Sequence, residues 1–277
     1  MFQLSEIFIY PIKSLGGIPM PEARVQLRGL QYDRRWMLTD ADGIFVTQRE
    51  FPEMALLGTA IEPPFLKVFR KNNPQQHILI PLEPDTAGMT KKQVQVWSQR
   101  CASRQYESDI NGWFSDVLGA NLFLQYMPDT TRRATDGRYA PKGQYVSFAD
   151  GFPYLLIGQA SLDALNARLA APVPMDRFRP NFVFTGGTAF AEDEWAQFSV
   201  GELQFACAKP CARCPIPTIN QQTATRSAEP LRTLSQFRRS GHKVLFGQNV
   251  VCLNVFSAEN TLLRRGETLI PVPKTQQ

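Results

Sequence analysis

A chain of 277 residues is long for one hydrophobic core and comfortable for two. With 43% apolar and 20% charged residues it has an ordinary globular composition, which excludes disorder as the default. A net charge of +5 would suit nucleic acid or an anionic small molecule, but the basic residues are scattered with no long like-charge run, so a nucleic-acid surface is not expected.

Met1 to Tyr10 lacks a basic stretch followed by an apolar core, so no signal peptide is expected; the segment from Phe2 reads instead as a β-strand. Trp36 to Thr39 and Ile44 to Thr47 flank Ala41-Asp42-Gly43, a hairpin signal. Leu66 to Phe69, Ile78 to Ile80 and Val94 to Trp97 continue the strand pattern. Ile110, Trp113, Phe114, Val117 and Leu118 form one helical stripe, with Ser108 or Asp109 as cap and Gly119 at the end. Asp129 to Gly143 is polar and aperiodic, a long loop. Tyr154 to Ile157 reads as a strand, and Ser161 as the cap of a helix carrying Leu162, Leu165 and Leu169. Phe182 to Thr185 is a strand ending at Gly186-Gly187, and Phe198 to Val200 with Leu203 to Cys207 form a hairpin across Gly201-Glu202. Leu231 to Arg239 is a short helix; Val250 to Phe256 and Thr268 to Val272 are closing strands. Many short strands at close spacing point to barrels or sandwiches. No apolar run reaches the roughly eighteen residues a membrane helix needs. Five cysteines, an odd count in a chain this long, fit a reducing cytoplasm better than a disulfide framework.

The densest chemistry lies in Lys209-Pro210-Cys211-Ala212-Arg213-Cys214-Pro215-Ile216-Pro217-Thr218. Cations beside a thiol favour the thiolate, the form that binds metals. A zinc site would need further ligands, yet the chain has two histidines, His77 and His242, and only Cys207 nearby. A thioredoxin-like pair needs a helix directly after the motif, which Pro215 and Pro217 oppose. Two unrelated thiols, or one cysteine ligating a metal cofactor, remain; for the latter Cys214, between Arg213 and Pro215, is the stronger candidate. Upstream, Tyr10-Pro11-Ile12-Lys13-Ser14-Leu15-Gly16-Gly17 offers an ammonium, a hydroxyl and glycine amides in one turn, a set that suits phosphate although the Walker A spacing is absent. In Asp33-Arg34-Arg35, Asp33 can hold one arginine while the other points at an anion. Arg177 and Arg179 alternate just before a buried strand, offering planar donors to a phosphate or heterocycle edge. Asp150, in the turn Phe148 to Pro153, and Asn249, in Phe246-Gly247-Gln248-Asn249, are acceptor or amide groups at strand starts.

In order, these motifs resemble the MOSC family, related to the C-terminus of molybdenum cofactor sulfurase. The resemblance runs from Y-P-I-K-S at Tyr10 to Ser14, through G-L-x-x-D-R at Gly29 to Arg34, F-A-D-x-x-P at Phe148 to Pro153 and A-S-L at Ala160 to Leu162. It continues through R-F-R-P-N at Arg177 to Asn181, E-D-x-W at Glu192 to Trp195 and Arg213-Cys214 to E-P-L-x-T-L at Glu229 to Leu234 and F-G-Q-N at Phe246 to Asn249. The subgroup it is most similar to is the amidoxime-reducing component and its bacterial relatives. The sequence departs from some relatives at Phe152, where a small polar residue occurs, and at Pro215 and Pro217.

The resemblance implies a β-dominated α+β fold: an N-terminal β-barrel-like domain over residues 1–121 and a MOSC β-barrel domain with flanking short helices over 122–277, with a cofactor in the cleft between them. It implies a molybdenum cofactor (Mo-molybdopterin) with Cys214 as protein sulfur ligand to the metal and the catalytic residue. Lys13, Ser14 and Arg34 carry over as phosphate contacts; Asp150, Arg179 and Asn181 carry over on the pterin side, and Asn249 carries over as a further cofactor contact from the F-G-Q-N turn. The implied activity is an oxidoreductase, a two-electron reduction of the N–O bond in a small-molecule N-hydroxylated substrate; the alternative is a non-catalytic carrier of molybdenum cofactor or sulfur. Because the four-cysteine set of a [2Fe–2S] cluster is missing, a separate electron-transfer protein, a flavoprotein or ferredoxin-type partner, is expected.

Overall fold

The computed structural model describes residues 1–275. Seven strands close into a barrel. In spatial order they are Tyr154–Gly158, Phe182–Thr185, Phe2–Ile9, Thr268–Pro273, Trp195–Val200, Leu203–Ala212 and Lys243–Cys252, the last pairing back onto the first. Only Tyr154–Gly158 and Phe182–Thr185 run parallel, with Leu156 opposite Phe182. A parallel pair needs a crossover, and the helix Gln159–Asn166 supplies it. Alternate residues point inward: Phe182 and Phe184 join Tyr154, Leu156, Phe198, Phe205 and Val250 in one buried cluster. Tyr154 stacks on Phe182 at 5.1 Å and Phe198 on Phe205 at 4.9 Å, so stacked rings share the interior with aliphatic chains such as Leu4, Ile7 and Leu203.

A four-stranded sheet (Trp36–Thr39, Phe123–Tyr126, Gln99–Gln105, Thr90–Val96) and a three-stranded one (Leu57–Glu62, Phe65–Arg70, Asn73–Pro81) enclose a second core around Trp36, Leu38, Val68 and Leu124. Helix Ser108–Leu118 seals it with Phe114 and ends where Gly119 turns left-handed, at φ +67°. The two regions exchange strands: Phe2–Ile9 sits inside the barrel, Glu22–Gln26 pairs with Leu262–Arg264, and Phe123–Tyr126 pairs with Trp36–Thr39. A third cluster, including Ile157, Leu165, Phe178, Leu234 and Phe246, packs Gln159–Asn166 and Leu231–Phe237 against the barrel's outside.

Ile44 to Thr47 turns back antiparallel beside Trp36–Thr39 over a short stretch, with the Asp40 N–H donating to Ile44, the Val46 N–H to Leu38 and a bridge from Thr39 to Phe45, while the Asp40 carboxylate accepts the amides of Asp42 and Ile44. Several local expectations shift. Glu107, not Ser108 or Asp109, is the N-cap of the first helix. Ser161 caps nothing; its hydroxyl donates to the buried Glu192 and accepts the Phe190 amide. The final long strand runs Lys243–Cys252, earlier than Val250 to Phe256.

Candidate functional site

The barrel strand Phe2–Ile9 delivers Tyr10 to a turn built on a buried carboxylate. Asp33 accepts the Tyr10 amide at 2.8 Å and the Arg34 guanidinium at 2.6 Å. Burial pushes the Asp33 pKa up; Arg34 and the Tyr10 N–H oppose it. Gly17 has to be glycine, since a Cβ there would lie 2.5 Å from the Tyr10 ring. The guanidinium carbons of Arg34 and Arg179 each stand 4.3 Å from the centre of that ring. Arg34 also donates to the Asn181 side chain and the Arg179 carbonyl. Of the two adjacent arginines, then, Asp33 holds Arg34; Arg35 points away, to Met127, Tyr126 and Asp129, and not at the cleft.

Lys13 is 6% exposed, and its ammonium donates to the Phe148 carbonyl at 2.8 Å and to Asp150 at 2.5 Å. Burial lowers its pKa, while Asp150 works the other way. For Asp150, desolvation raises the pKa, but the charge and hydrogen bond of Lys13 and the indole N–H of Trp97 outweigh it and hold the carboxyl below the usual range. More than half of that side chain, 56%, faces the open cleft, so the ion pair rather than desolvation governs it. The turn carrying Asp150 is fixed from beneath by Arg133, which donates to the carbonyls of Ser147, Ala149 and Asp150. Arg133 lies in the aperiodic Asp129 to Gly143 loop, and no local pattern marked it.

Arg177 and Arg179 do not share a face. Met175–Arg177 is a 3-10 turn and Arg179 is left-handed at φ +57°, so strand alternation does not apply. Arg177 is buried and braces the Pro217 carbonyl at 2.7 Å. Among the described residues Arg179 donates no side-chain hydrogen bond, while its carbonyl accepts from Arg34. Asn181 is fully engaged: its oxygen accepts from Arg34 and the Leu155 amide, and its nitrogen donates to Phe8. It positions Arg34 rather than standing free.

The cysteine segment hangs from the barrel rim. Strand Leu203–Ala212 slips register between Cys207 and Lys209 and again between Pro210 and Ala212, bulges that accommodate Pro210 and turn the chain outward. Asn249 ties this end by donating to the Lys209 and Pro210 carbonyls. Arg213 fastens the next step, its amide to Val244 and its guanidinium to the Phe178 carbonyl at 2.7 Å. That guanidinium donates to the sulfur of Cys211 at 3.2 Å, not to Cys214. The prolines permit one 3-10 turn, Ile216–Thr218, and no α-helix. Among the described residues no three His, Cys, Asp or Glu side chains gather as a metal-ligating group.

All eight expected residues, Lys13, Ser14, Arg34, Asp150, Arg179, Asn181, Cys214 and Asn249, line one cleft of about 750 Å³. Seven of its lining side chains are Lys or Arg and one is acidic, so the cleft favours an anion. Among the described residues, four of the eight non-glycine residues at positive φ, namely Ser14, Arg34, Trp97 and Arg179, line it too. Strain of this kind survives only where surrounding structure enforces it, and it concentrates at functional sites. Arg49 and Trp97, absent from the sequence reading as site residues, complete one wall.

The fold and site define a β-barrel protein with an anion-receptive cleft and a thiol on its rim. The chain belongs to the MOSC family: residues 1–121 match the MOSC N-terminal beta barrel domain and residues 143–269 the MOSC domain. It is 30% identical over 274 residues to the molybdenum cofactor sulfurase of Oryza sativa subsp. japonica, covering 93% of this chain and 33% of that protein. It is 29% identical to the mitochondrial amidoxime-reducing component 1 of Mus musculus, covering 93% of this chain and 78% of that one; for the Homo sapiens protein the values are 27%, 93% and 79%. The chain thus spans about a third of the length of the sulfurases it matches. Among the described residues no helix is long and apolar enough to cross a membrane.

Proposed function

We propose that the cleft binds a molybdenum cofactor, with Cys214 as the protein ligand to the metal, and that the protein reduces N-hydroxylated small molecules using electrons from a separate partner protein. The observation that carries this reading is the convergence of Cys214 with Lys13, Arg34 and Arg179 on one cleft, from positions spread along most of the chain. The donor set fits the group. Among the described residues the hydroxyl of Ser14 and the guanidinium of Arg179 have no hydrogen-bond partner in the chain, and both line the cleft. A phosphate with its attached heterocycle meets both needs. A soft thiolate suits a redox metal.

When bound, the group supplies the two-electron exchange that converts an N–O bond and two protons to N–H and water. The chain's own residues hold and orient. Lys13, Ser14 and Arg34 would hold the phosphate end, and Arg179, whose guanidinium lies over the Tyr10 ring, would hold the heterocycle. Asp150, held by Lys13 and Arg133, offers an acceptor to ring N–H donors. Asn181 sets Arg34, and Asn249 sets the strand end that leads to Cys214. Neither histidine lines the cleft, and its open side admits water, so solvent is the proton source in this reading.

The amidoxime-reducing relatives, matched over most of their length, support the reductase reading. The sulfurase relatives favour a second one, a non-catalytic carrier of cofactor or sulfur. Protein made in a molybdopterin-competent host separates them by elemental analysis and by benzamidoxime turnover with a chemical reductant. Near-stoichiometric molybdenum with turnover supports the reductase; molybdenum without turnover supports the cofactor carrier; no molybdenum removes both of these and leaves only the sulfur carrier.

A further inference from the structure

Strands Thr90–Val96 and Gln99–Gln105 are joined by two residues, with Val96 opposite Gln99. The favoured two-residue hairpins need a positive φ at their first loop position, where glycine, asparagine or aspartate is usual. Here that position is Trp97, at φ +56°. A bulky side chain in this conformation works against the turn's own preference, so the fold alone does not explain it.

The indole is also fixed. Its N–H donates to Asp150 at 3.2 Å, the Arg49 guanidinium carbon sits 4.4 Å from the ring centre, and the Phe45 ring packs at 5.2 Å with a 58° tilt. Yet Trp97 remains 46% exposed and lines the cleft. A strained, immobilised and half-open indole beside a reactive cleft has the properties of a preformed stacking surface: little side-chain freedom is left to lose when a ring settles on it.

Resting on the reductase reading above, we propose that Trp97 contacts the substrate and selects planar, conjugated N-hydroxylated compounds over aliphatic ones of equal polarity. Arg49 and Asp150 position the indole. The strain at Trp97 gives the proposal a signature that a structural role lacks. Glycine adopts φ +56° freely, which offsets the lost contacts to Asp150, Arg49 and Phe45, so Trp97→Gly should hold the unfolding midpoint near that of the wild type while impairing selection.

The test uses the cofactor-loaded protein and two neutral probes, benzamidoxime and acetamidoxime, titrated by calorimetry without reductant and then assayed with it. Wild type should bind benzamidoxime the more tightly. Trp97→Gly should weaken benzamidoxime about tenfold, the order expected for one lost aromatic contact, and leave acetamidoxime unchanged; Trp97→Phe should restore most of the difference. The KM values should follow the same pattern with kcat nearly constant. Equal weakening of both probes, no weakening of either, or a Trp97→Gly midpoint several degrees below wild type would overturn the assignment. Binding selectivity without turnover by the wild type would remove the reductase reading and leave Trp97 as a ligand-stacking residue.

Discussion

Lys13 and Asp150, 137 residues apart in sequence, meet at 2.5 Å beside the cleft, and the carboxylate oxygen that takes the ammonium also takes the Trp97 indole N–H. One acidic group thereby joins the turn after strand Phe2–Ile9, the hairpin tip between Thr90–Val96 and Gln99–Gln105, and the loop leading into strand Tyr154–Gly158.

This junction predicts a pH dependence. The carboxyl of Asp150 is held below the usual range in the folded state, against desolvation, by Lys13 and Trp97. A depressed carboxyl stabilises the fold above its unfolded pKa, about 3.9, and that contribution is lost as pH falls from there through the lower folded value. Wild type should therefore resist urea better than Asp150→Asn at pH 7, and the gap in midpoints should narrow as the pH is taken to about 3. A gap that widens in acid would show that the ion pair is not its source.

Arg133 should matter more than its place in an irregular loop implies. It is 3% exposed and satisfies three carbonyls around the Asp150 turn. Arg133→Met leaves those oxygens without a donor, at about 1–3 kcal/mol for each one that water cannot reach. We expect a loss of roughly 3 kcal/mol in urea unfolding, with a fall in cofactor retention because Asp150 is no longer aimed. Wild-type stability in Arg133→Met would mean that water already serves those carbonyls.

These two residues show what the sequence exposes and what it hides. Lys13 and Ser14, and separately Asp150, stand at glycine and proline turns between readable strands, so each turn was legible as a candidate; only the family resemblance implied that they share one site. Phe182–Thr185 was readable as a strand from a short apolar run closed by Gly186-Gly187, and the burial of Phe182, Val183 and Phe184 agrees with it. Arg133 left no trace, because its partners are backbone carbonyls and any sequence supplies those. Arg177 misled because alternation was read across a 3-10 turn. The sharing of Phe2–Ile9 with C-terminal strands is a pairing over nearly the whole chain, which no local window contains. Trp97 was read as the end of a strand; the following strand Gln99–Gln105 was not read, so the two-residue loop that holds Trp97 and its left-handed backbone emerged only in the structure.

The five cysteines should separate by reactivity. Burial pushes the Cys207 thiol to about 12 and the Cys252 thiol to about 11, and raises Cys101 as well. At pH 8 roughly one in ten thousand Cys207 groups is then thiolate, against roughly a quarter of ordinary thiols. Iodoacetamide at pH 8 should label Cys211 and Cys214, which line the cleft, and spare the other three in native protein. Labelling of the half-buried Cys207 should rise about tenfold per pH unit up to about pH 12. Peptide mass spectrometry reads both trends, and comparable labelling of Cys207 and Cys214 at pH 8 would contradict them.

The two cleft cysteines should themselves part company. Cys214 follows an anchor made by the Arg213 amide on Val244 and the Arg213 guanidinium on Phe178, and precedes the Pro217 carbonyl that Arg177 braces. Those contacts involve backbone and arginines, not the Cys214 sulfur, so Cys214→Ala should keep its unfolding midpoint. It should nevertheless lose metal retention and lower benzamidoxime turnover by a hundredfold or more, on the order of removing an essential ligand. Cys211 accepts a hydrogen bond from Arg213 and is not the metal ligand in this reading, so Cys211→Ala should reduce turnover less than tenfold. Molybdenum content, turnover and midpoint measured on both variants decide the matter. Equal losses from the two substitutions would mean that the sulfurs act as a pair, and single-thiolate ligation would have to be abandoned.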